Sequence, residues 1–404
     1  MAAKPFSLIP ESARGEFIPF EVDVPASELD DLTLLIKRSR VNRTTFENTL
    51  VDGHLGVKRE WLVEALSHWT DKFAWRKHET YINSFPAYHA KITDDDGRKY
   101  NIHFVGLFSK RKDAIPIFLL HGWPGSFLEF LPMLDILRNR YSEQDLPYHL
   151  IAPSMPGYAF SSPPPTDKDF YLSDIARLFN KLATESLGFR TYIVQGGDIG
   201  SKVGRVMAAE HKACQAVHMN FCIMPKPATL RPGAVISEQE QIGLKRADAF
   251  HRLGSAYALE HATKPSTIAL VVGSNPVSLL AWIGEKFVDW TDETPDIDTI
   301  LESISLYWFT DTFATTLYPY RHLFTPGVIG AHEDPKWYVH KPMGFSWFPK
   351  ELAPIPRAWV ETTGDLVFHR EHQKGGHFAA VEQTETLLKD LEDFVAQVWR
   401  TGPA

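Results

Sequence analysis

Asp198 stands at the apex of "VQGGDIGSKVGR" (residues 194–205), where an apolar lead-in meets paired glycines. Gly196 and Gly197 permit a sharp strand-to-helix elbow, and Gly200 and Gly204 let the next helix pack close to a sheet. Such an elbow presents a nucleophile over a helix N-terminus, whose N–H groups favour negative charge. A serine there needs a base to lose its proton. An aspartate, with a reference pKa of about 3.9, is already ionised. The bland reading is that Asp198 merely caps the helix "IGSKVGRVMAAEH". The string is not GxGxxG, so it carries no dinucleotide fingerprint. Ser201, one turn further on, is expected to back-bond to the helix rather than to act as an esterase nucleophile.

Two other stretches have the composition to join that aspartate. "LLHGWPGS" (119–126) leaves an apolar strand through Gly122, Pro124 and Gly125, a turn that can aim backbone N–H groups into a cavity as an oxyanion hole. "KGGHFAAVE" (374–382) sets His377 in a glycine loop late in the chain, the place of the base in an Asp…acid…His order. For the acid, "TTGDLVF" offers Asp365 just beyond a strand and 12 residues before His377, and nothing local excludes it. His369 and His372 in "FHREHQK" are expected to face solvent. The acids Asp94, Asp95 and Asp96 read as a solvated turn rather than a metal site. Cys214 and Cys222 lie far from any histidine cluster and read as buried, reduced thiols.

These residues need elements to hold them. Residues 21 to 90 have helical spacing: "SELDDLTLLIKRSR" opens with Ser27 as a candidate N-cap, and "KREWLVEALSHWTDKF" follows. "AYHAKITDDDGRKYNIHFVGLF" is a hairpin pattern around Asp-Gly. Short apolar runs ("IPIFLLHG", "YHLIAPSMPG", "TYIVQGGD", "AVHMNF") then alternate with helical ones such as "LSDIARLFNKLATESLG". Continuous apolar strands between helices predict an α/β fold, a mainly parallel sheet covered on both faces. From about 225 to 335 the strand signal gives way to helices, and alternation returns with "IPRAWVETTGDLVF" and a last helix. The apolar stretch "STIALVVGSNPVSLLAWIGEKF" is broken at Ser274, Asn275 and Pro276, which favours core helices over a membrane span. The 404 residues carry a net charge of −8, which argues against nucleic acid or an anionic membrane as partner.

Taken together, "HGWPGSFLEF", "GGDIG" and "GGHFAA" resemble epoxide hydrolases of the microsomal type, particularly soluble fungal members, over nearly the whole chain. The resemblance includes the helical N-terminal segment and "HKPMGFSWFPKEL". It implies an α/β-hydrolase fold with an N-terminal helical meander (1–90), a core in two parts (91–225 and 335–404) and a helical cap (226–334). It also implies opening of epoxides by water to vicinal diols, in detoxification or metabolism, through an alkyl ester on Asp198 with His377 as base. No metal or organic cofactor is called for. The family's acid falls on Glu351, in "FPKEL", in preference to Asp365. The two cap tyrosines that hold the epoxide oxygen match Tyr257 in "SAYALEHATKP" and Tyr320 in "YPYRH"; Tyr318 is the neighbour to keep apart. The oxyanion would rest on the N–H groups of Trp123 and Ile199. The N-terminal anchor of membrane-bound members is absent, so a soluble cytoplasmic protein is expected. Family members often pair through their caps, which leaves a homodimer open. Two other readings compete: a haloalkane dehalogenase, in which Trp123 would serve the departing halide, and a non-catalytic ligand-binding protein on the same fold.

Overall fold

A computed structural model describes residues 4–399. Nine strands form one sheet: β1 (Phe17–Pro19), β2 (Ala87–Thr93), β3 (Lys99–Leu107), β4 (Ile115–Leu120), β5 (Tyr148–Pro153), β6 (Tyr192–Gly196), β7 (Cys214–Met219), β8 (Val339–Trp347) and β9 (Gly364–Glu371). Their spatial order is β1-β2-β3-β5-β4-β6-β7-β8-β9. The run from β5 to β9 is parallel, and β1 to β3 extend it antiparallel. This is the α/β-hydrolase fold.

The central strands are largely apolar because both their faces are buried. In β4, Phe118 and Leu120 join the core beneath the helices Leu172–Lys181 and Asp198–Glu210. Ile117 and Leu119 point the other way, into the core with Leu131–Arg140 and Thr384–Val398. The period of two thus splits one strand between two cores. After β4 the chain crosses to β5 on one side, and β6 lies on the other. That reversal opens a crevice at the carboxyl ends of β4 and β6, where ligands bind in open α/β sheets. The close approach there needs glycine: a Cβ on Gly200 would meet the Leu120 carbonyl oxygen at 2.1 Å.

The expected hairpin is β2–β3, paired from Ala87↔Val105 to Thr93↔Lys99. Its turn differs from the solvated one anticipated. Asp94 is buried and takes a bidentate pair of hydrogen bonds, 2.7 and 2.8 Å, from Arg177. One of the three acids therefore ties the hairpin to a sheet-covering helix. Nor does Ser27 cap its helix, which runs Ala26–Arg38 with Pro25 at the cap position. Proline's fixed φ suits that entry, and Ser27 falls inside the first turn.

Between β7 and β8 the described residues contain no strand. The stretch holds the helices Glu238–Ala249, Ala256–Thr263, Pro265–Val272, Pro276–Asp289 and Ile297–Thr310. Ser237 opens the first with a reciprocal capping box to Glu240. The break at Ser274–Pro276 bends its two flanking helices by 114°, and among the described residues no single helix is long and apolar enough to cross a membrane. Cys214 and Cys222 are buried and unbridged.

Candidate active site

Asp198 begins its helix immediately after β6, at φ +42°. The strained backbone is the aspartate's own. Gly197 has an ordinary φ of −106° and Gly196 is regular strand, so neither glycine absorbs the elbow's strain as expected. A left-handed non-glycine residue costs roughly 1–2 kcal/mol and persists where its surroundings hold it. Here the Trp123 N–H donates to Asp198 Oδ1 at 2.7 Å, and the Ile199 N–H, first after it on the helix, also favours the charged carboxylate. Gly122 keeps that place free, since a Cβ there would fall 2.2 Å from Oδ1. Ser201 Oγ donates back to the Asp198 carbonyl at 2.6 Å, as expected of a back-bonded serine.

His121, first in the turn after β4, is a strut. Its Nε2 accepts the Met155 N–H at 3.1 Å, which leaves Nδ1 to donate to the Gly122 carbonyl at 3.1 Å. Burial pushes its pKa down to about 4, so it stays neutral and holds the turn that presents Trp123.

His377 follows β9 and is buried. Its backbone N–H donates to the Trp290 carbonyl at 2.9 Å, and its ring is edged by Trp290 and Phe221. Nδ1 lies 2.6 Å from Glu351 Oε1, and Nε2 stands 3.5 Å from Asp198 Oδ2. Glu351 Oε1 also accepts the Leu352 N–H at 2.6 Å, so that oxygen is fixed from two sides. Burial alone would lower the imidazole pKa; the charge of Glu351, then the bonds and charge of Asp198, overcome it and lift it to about 10. Burial likewise tends to raise the Asp198 carboxyl. His377 and the two N–H donors outweigh that and hold it below the usual range.

Asp365 is not brought to this cluster. It is the second residue of β9, not a residue beyond a strand, because "IPRAWV" contains the short helix Arg357–Val360 instead. It therefore sits at the amino end of β9, exposed, with Tyr338 as its hydrogen-bonding neighbour at 3.4 Å. His372 departs from expectation too: it is half-buried, with Nε2 2.6 Å from Asp390 Oδ2, and His369 is also half-buried.

Tyr257, on the helix Ala256–Thr263, and Tyr320, in the turn Tyr318–His322, are both buried with ring centroids 5.8 Å apart. Trp123 stacks flat on Tyr257 and meets Tyr320 edge-on. Burial, with the nearby Asp198 charge, pushes both phenols well above their ordinary pKa. Tyr318 is turned away, its hydroxyl donating to the Pro156 carbonyl at 3.1 Å.

Asp198 lines two cavities. One is walled by Tyr257, Tyr320 and Lys202 among apolar side chains. The other is lined by His377, Glu129, Gln195 and Asn220. Sequence reasoning missed Glu129. Burial pushes its pKa up to about 8, with His377 opposing and Asp198 reinforcing the shift. The available signal was a lone acid inside the apolar run "FLEFL", whose neighbours Phe127, Leu128 and Phe130 are all buried.

With that geometry in hand, relatives are informative. The family described as "Epoxide hydrolase N terminus" matches residues 17–130, and "alpha/beta hydrolase fold" matches residues 115–253. Epoxide hydrolase 1 of Oryctolagus cuniculus is 32% identical, covering 98% of this chain and 92% of that protein. The solved epoxide hydrolase of Aspergillus niger is 47% identical, with a TM-score of 0.92 over 98% of this chain and 100% of that one. The juvenile hormone epoxide hydrolase of Bombyx mori is 25% identical, with a TM-score of 0.82 over 98% of each chain. Identity and coverage at these levels set aside the dehalogenase and ligand-binding readings: the chain belongs to the epoxide hydrolase family and is an enzyme of that kind.

Proposed function

We propose that Asp198 opens the epoxide by direct attack and that His377 then drives hydrolysis of the resulting ester. The observation that supports this is the position of Asp198 between two unlike cavities, phenols on one side and His377 with Glu129 on the other. Oδ1 is held by the Trp123 N–H, so Oδ2 is the attacking oxygen. As the ring C–O bond breaks, the oxygen takes a proton from the Tyr257–Tyr320 pair. Phenols with raised pKa values stay protonated until a stronger base, the alkoxide, forms beside them.

Alkylation removes the charge of Asp198, one of the two carboxylates that keep His377 protonated. The imidazole then yields a proton, which balances the one lent by the tyrosines. Neutral His377, oriented by Glu351, deprotonates a water that attacks the ester carbonyl carbon. The oxyanion rests on the N–H groups of Trp123 and Ile199, and collapse frees the diol, returning Asp198 as carboxylate and His377 protonated. Glu129, neutral below about pH 8, can both donate to and accept from that water. The outcome removes an electrophile, the detoxifying or metabolic role the family resemblance implies.

Intact-mass analysis tests the order of steps. Mixed with styrene oxide, His377→Gln should accumulate an adduct of one substrate mass, and Asp198→Ala should accumulate none. A His377→Gln protein that binds the epoxide and gains no mass would refute the two-step scheme.

A further inference from the structure

Lys202 sits one helical turn beyond Asp198 and lines the same cavity as the two tyrosines. It is 4% exposed, and among the described residues its ammonium has neither a hydrogen bond nor a carboxylate within ion-pair distance. It stands over the Phe221 ring, 5.5 Å from the centroid. The charged and titratable groups around it are Asp198, Glu333, Cys222, Arg205 and His332. Glu333 Oε1 accepts the Gly330 N–H at 2.8 Å while its Oε2 is buried without a hydrogen bond, Arg205 donates to Thr363, and His332 bridges Ser201 and Ile223. Buried charges are ordinarily paired, because desolvation of a lone ammonium is costly.

The rest of this wall is apolar: Ile199, Phe221, Ile223, Phe250, Leu323, Phe324 and Leu352. Its four polar groups are Asp198, Tyr257, Tyr320 and Lys202, and the first three are occupied by ring opening. We infer that Lys202 is a specificity determinant that selects epoxides carrying a carboxylate a few bonds from the ring. This rests on the reading that Asp198 attacks within this cavity. Residues at i and i+4 lie roughly 5–6 Å apart on one helix face, so a substrate bonded at Asp198 meets Lys202 within a short chain. A single ammonium balances a monoanion, and the short spacing between Asp198 and Lys202 suits a small one.

The test compares 3,4-epoxybutanoate, its neutral isostere 3,4-epoxybutanamide and 1,2-epoxybutane, with the wild type, Lys202→Met and Lys202→Arg. The readout is the acid-to-amide ratio of kcat/KM within each protein, so general loss of activity cancels. The comparison between proteins also cancels the intrinsic reactivity of each epoxide. The ratio should fall about tenfold to a hundredfold in Lys202→Met, the size of a lost charge-assisted hydrogen bond, and be largely kept in Lys202→Arg. A measurement needing no variant is competition on the wild type: butanoate should inhibit 1,2-epoxybutane turnover more strongly than butanamide. An unchanged ratio in Lys202→Met, equal inhibition by the two competitors, or wild-type turnover of the neutral epoxides alone would overturn the assignment. Turnover of none of the three would overturn the assignment as well, and the attack reading beneath it falls only if the styrene oxide adduct is also absent in His377→Gln.

Discussion

Glu351→Gln separates the two halves of the proposed reaction. Glu351 Oε1 lies 2.6 Å from His377 Nδ1 and also accepts the Leu352 N–H. A glutamine amide oxygen would fit that double-donor position, so the ring keeps its tautomer and orientation. What is lost is the charge. The new amide N–H₂ takes the place of Oε2, which is buried without a partner. A hydrogen bond to a charged group contributes about 1.5–3 kcal/mol, so ester hydrolysis should slow roughly 10- to 150-fold. Alkylation, which needs only ionised Asp198 and the phenols, should change little. Rapid-quench mass spectrometry with excess styrene oxide would show the ester as a minor species in the wild type and as the dominant one in Glu351→Gln. Asp365→Asn, at an exposed site, should stay within about 0.5 kcal/mol of the wild type in both steps. A Glu351→Gln enzyme with unchanged turnover, or an Asp365→Asn enzyme slowed more than about tenfold, would defeat the assignment of the acid.

Other expectations follow from single contacts. Tyr257→Phe or Tyr320→Phe should slow alkylation about tenfold to a hundredfold, and the double variant by more than either, since one phenol can partly serve for two; pre-steady-state adduct formation reports it. Glu129→Gln should slow ester hydrolysis by about tenfold or less while flattening the rate–pH profile near pH 8, where the wild-type carboxyl ionises; a profile retaining that inflection would assign it to another group. His377 also links pH to stability: unfolded it releases its proton near pH 6.5, folded near 10, so the folded chain binds more protons in between. Its stabilising contribution is whole below pH 6.5 and lost as pH rises to 10, so the wild-type Tm should drop more than that of His377→Gln from about pH 6.5 to 9. Gly122→Ala should abolish alkylation with little loss of secondary structure, because its Cβ would contact Asp198 Oδ1.

The sheet was legible wherever a strand is buried on both faces: β4 to β7 announce themselves as short, largely apolar runs. The short edge strand β1 was not, because three half-exposed residues carry no period. The elbow and the loop of His377 were legible because glycine clusters mark backbone that must turn sharply or approach another segment closely. Glu351 was reached only through the family resemblance. It lies in an irregular turn after β8, where no local pattern separates it from Asp365, and only the sheet's polarity shows which acid is at the crevice end. Glu129 and Lys202 stayed hidden for a common reason. Each is a charged residue on a helical turn, a position usually solvated, and burial of such a residue depends on what packs over it from distant sequence.

The site's parts are also far apart along the chain. The Trp123 N–H reaches an aspartate 75 residues away, and His377 reaches Glu351 across a further 26, after the entire helical stretch between β7 and β8 has intervened. Long-range closures of this kind form late, since loop entropy must be overcome before the contact stabilises anything. During synthesis a nascent chain can lay down β4 to β7 and the helical stretch that carries Tyr257 and Tyr320, with the nucleophile in place, while the base is still unmade. Such a chain could be alkylated but could not turn over, so an electrophile met at that stage would leave a dead covalent product. Catalytic competence in this enzyme is therefore a report on the completion of folding, and refolding followed by activity should lag refolding followed by helix content.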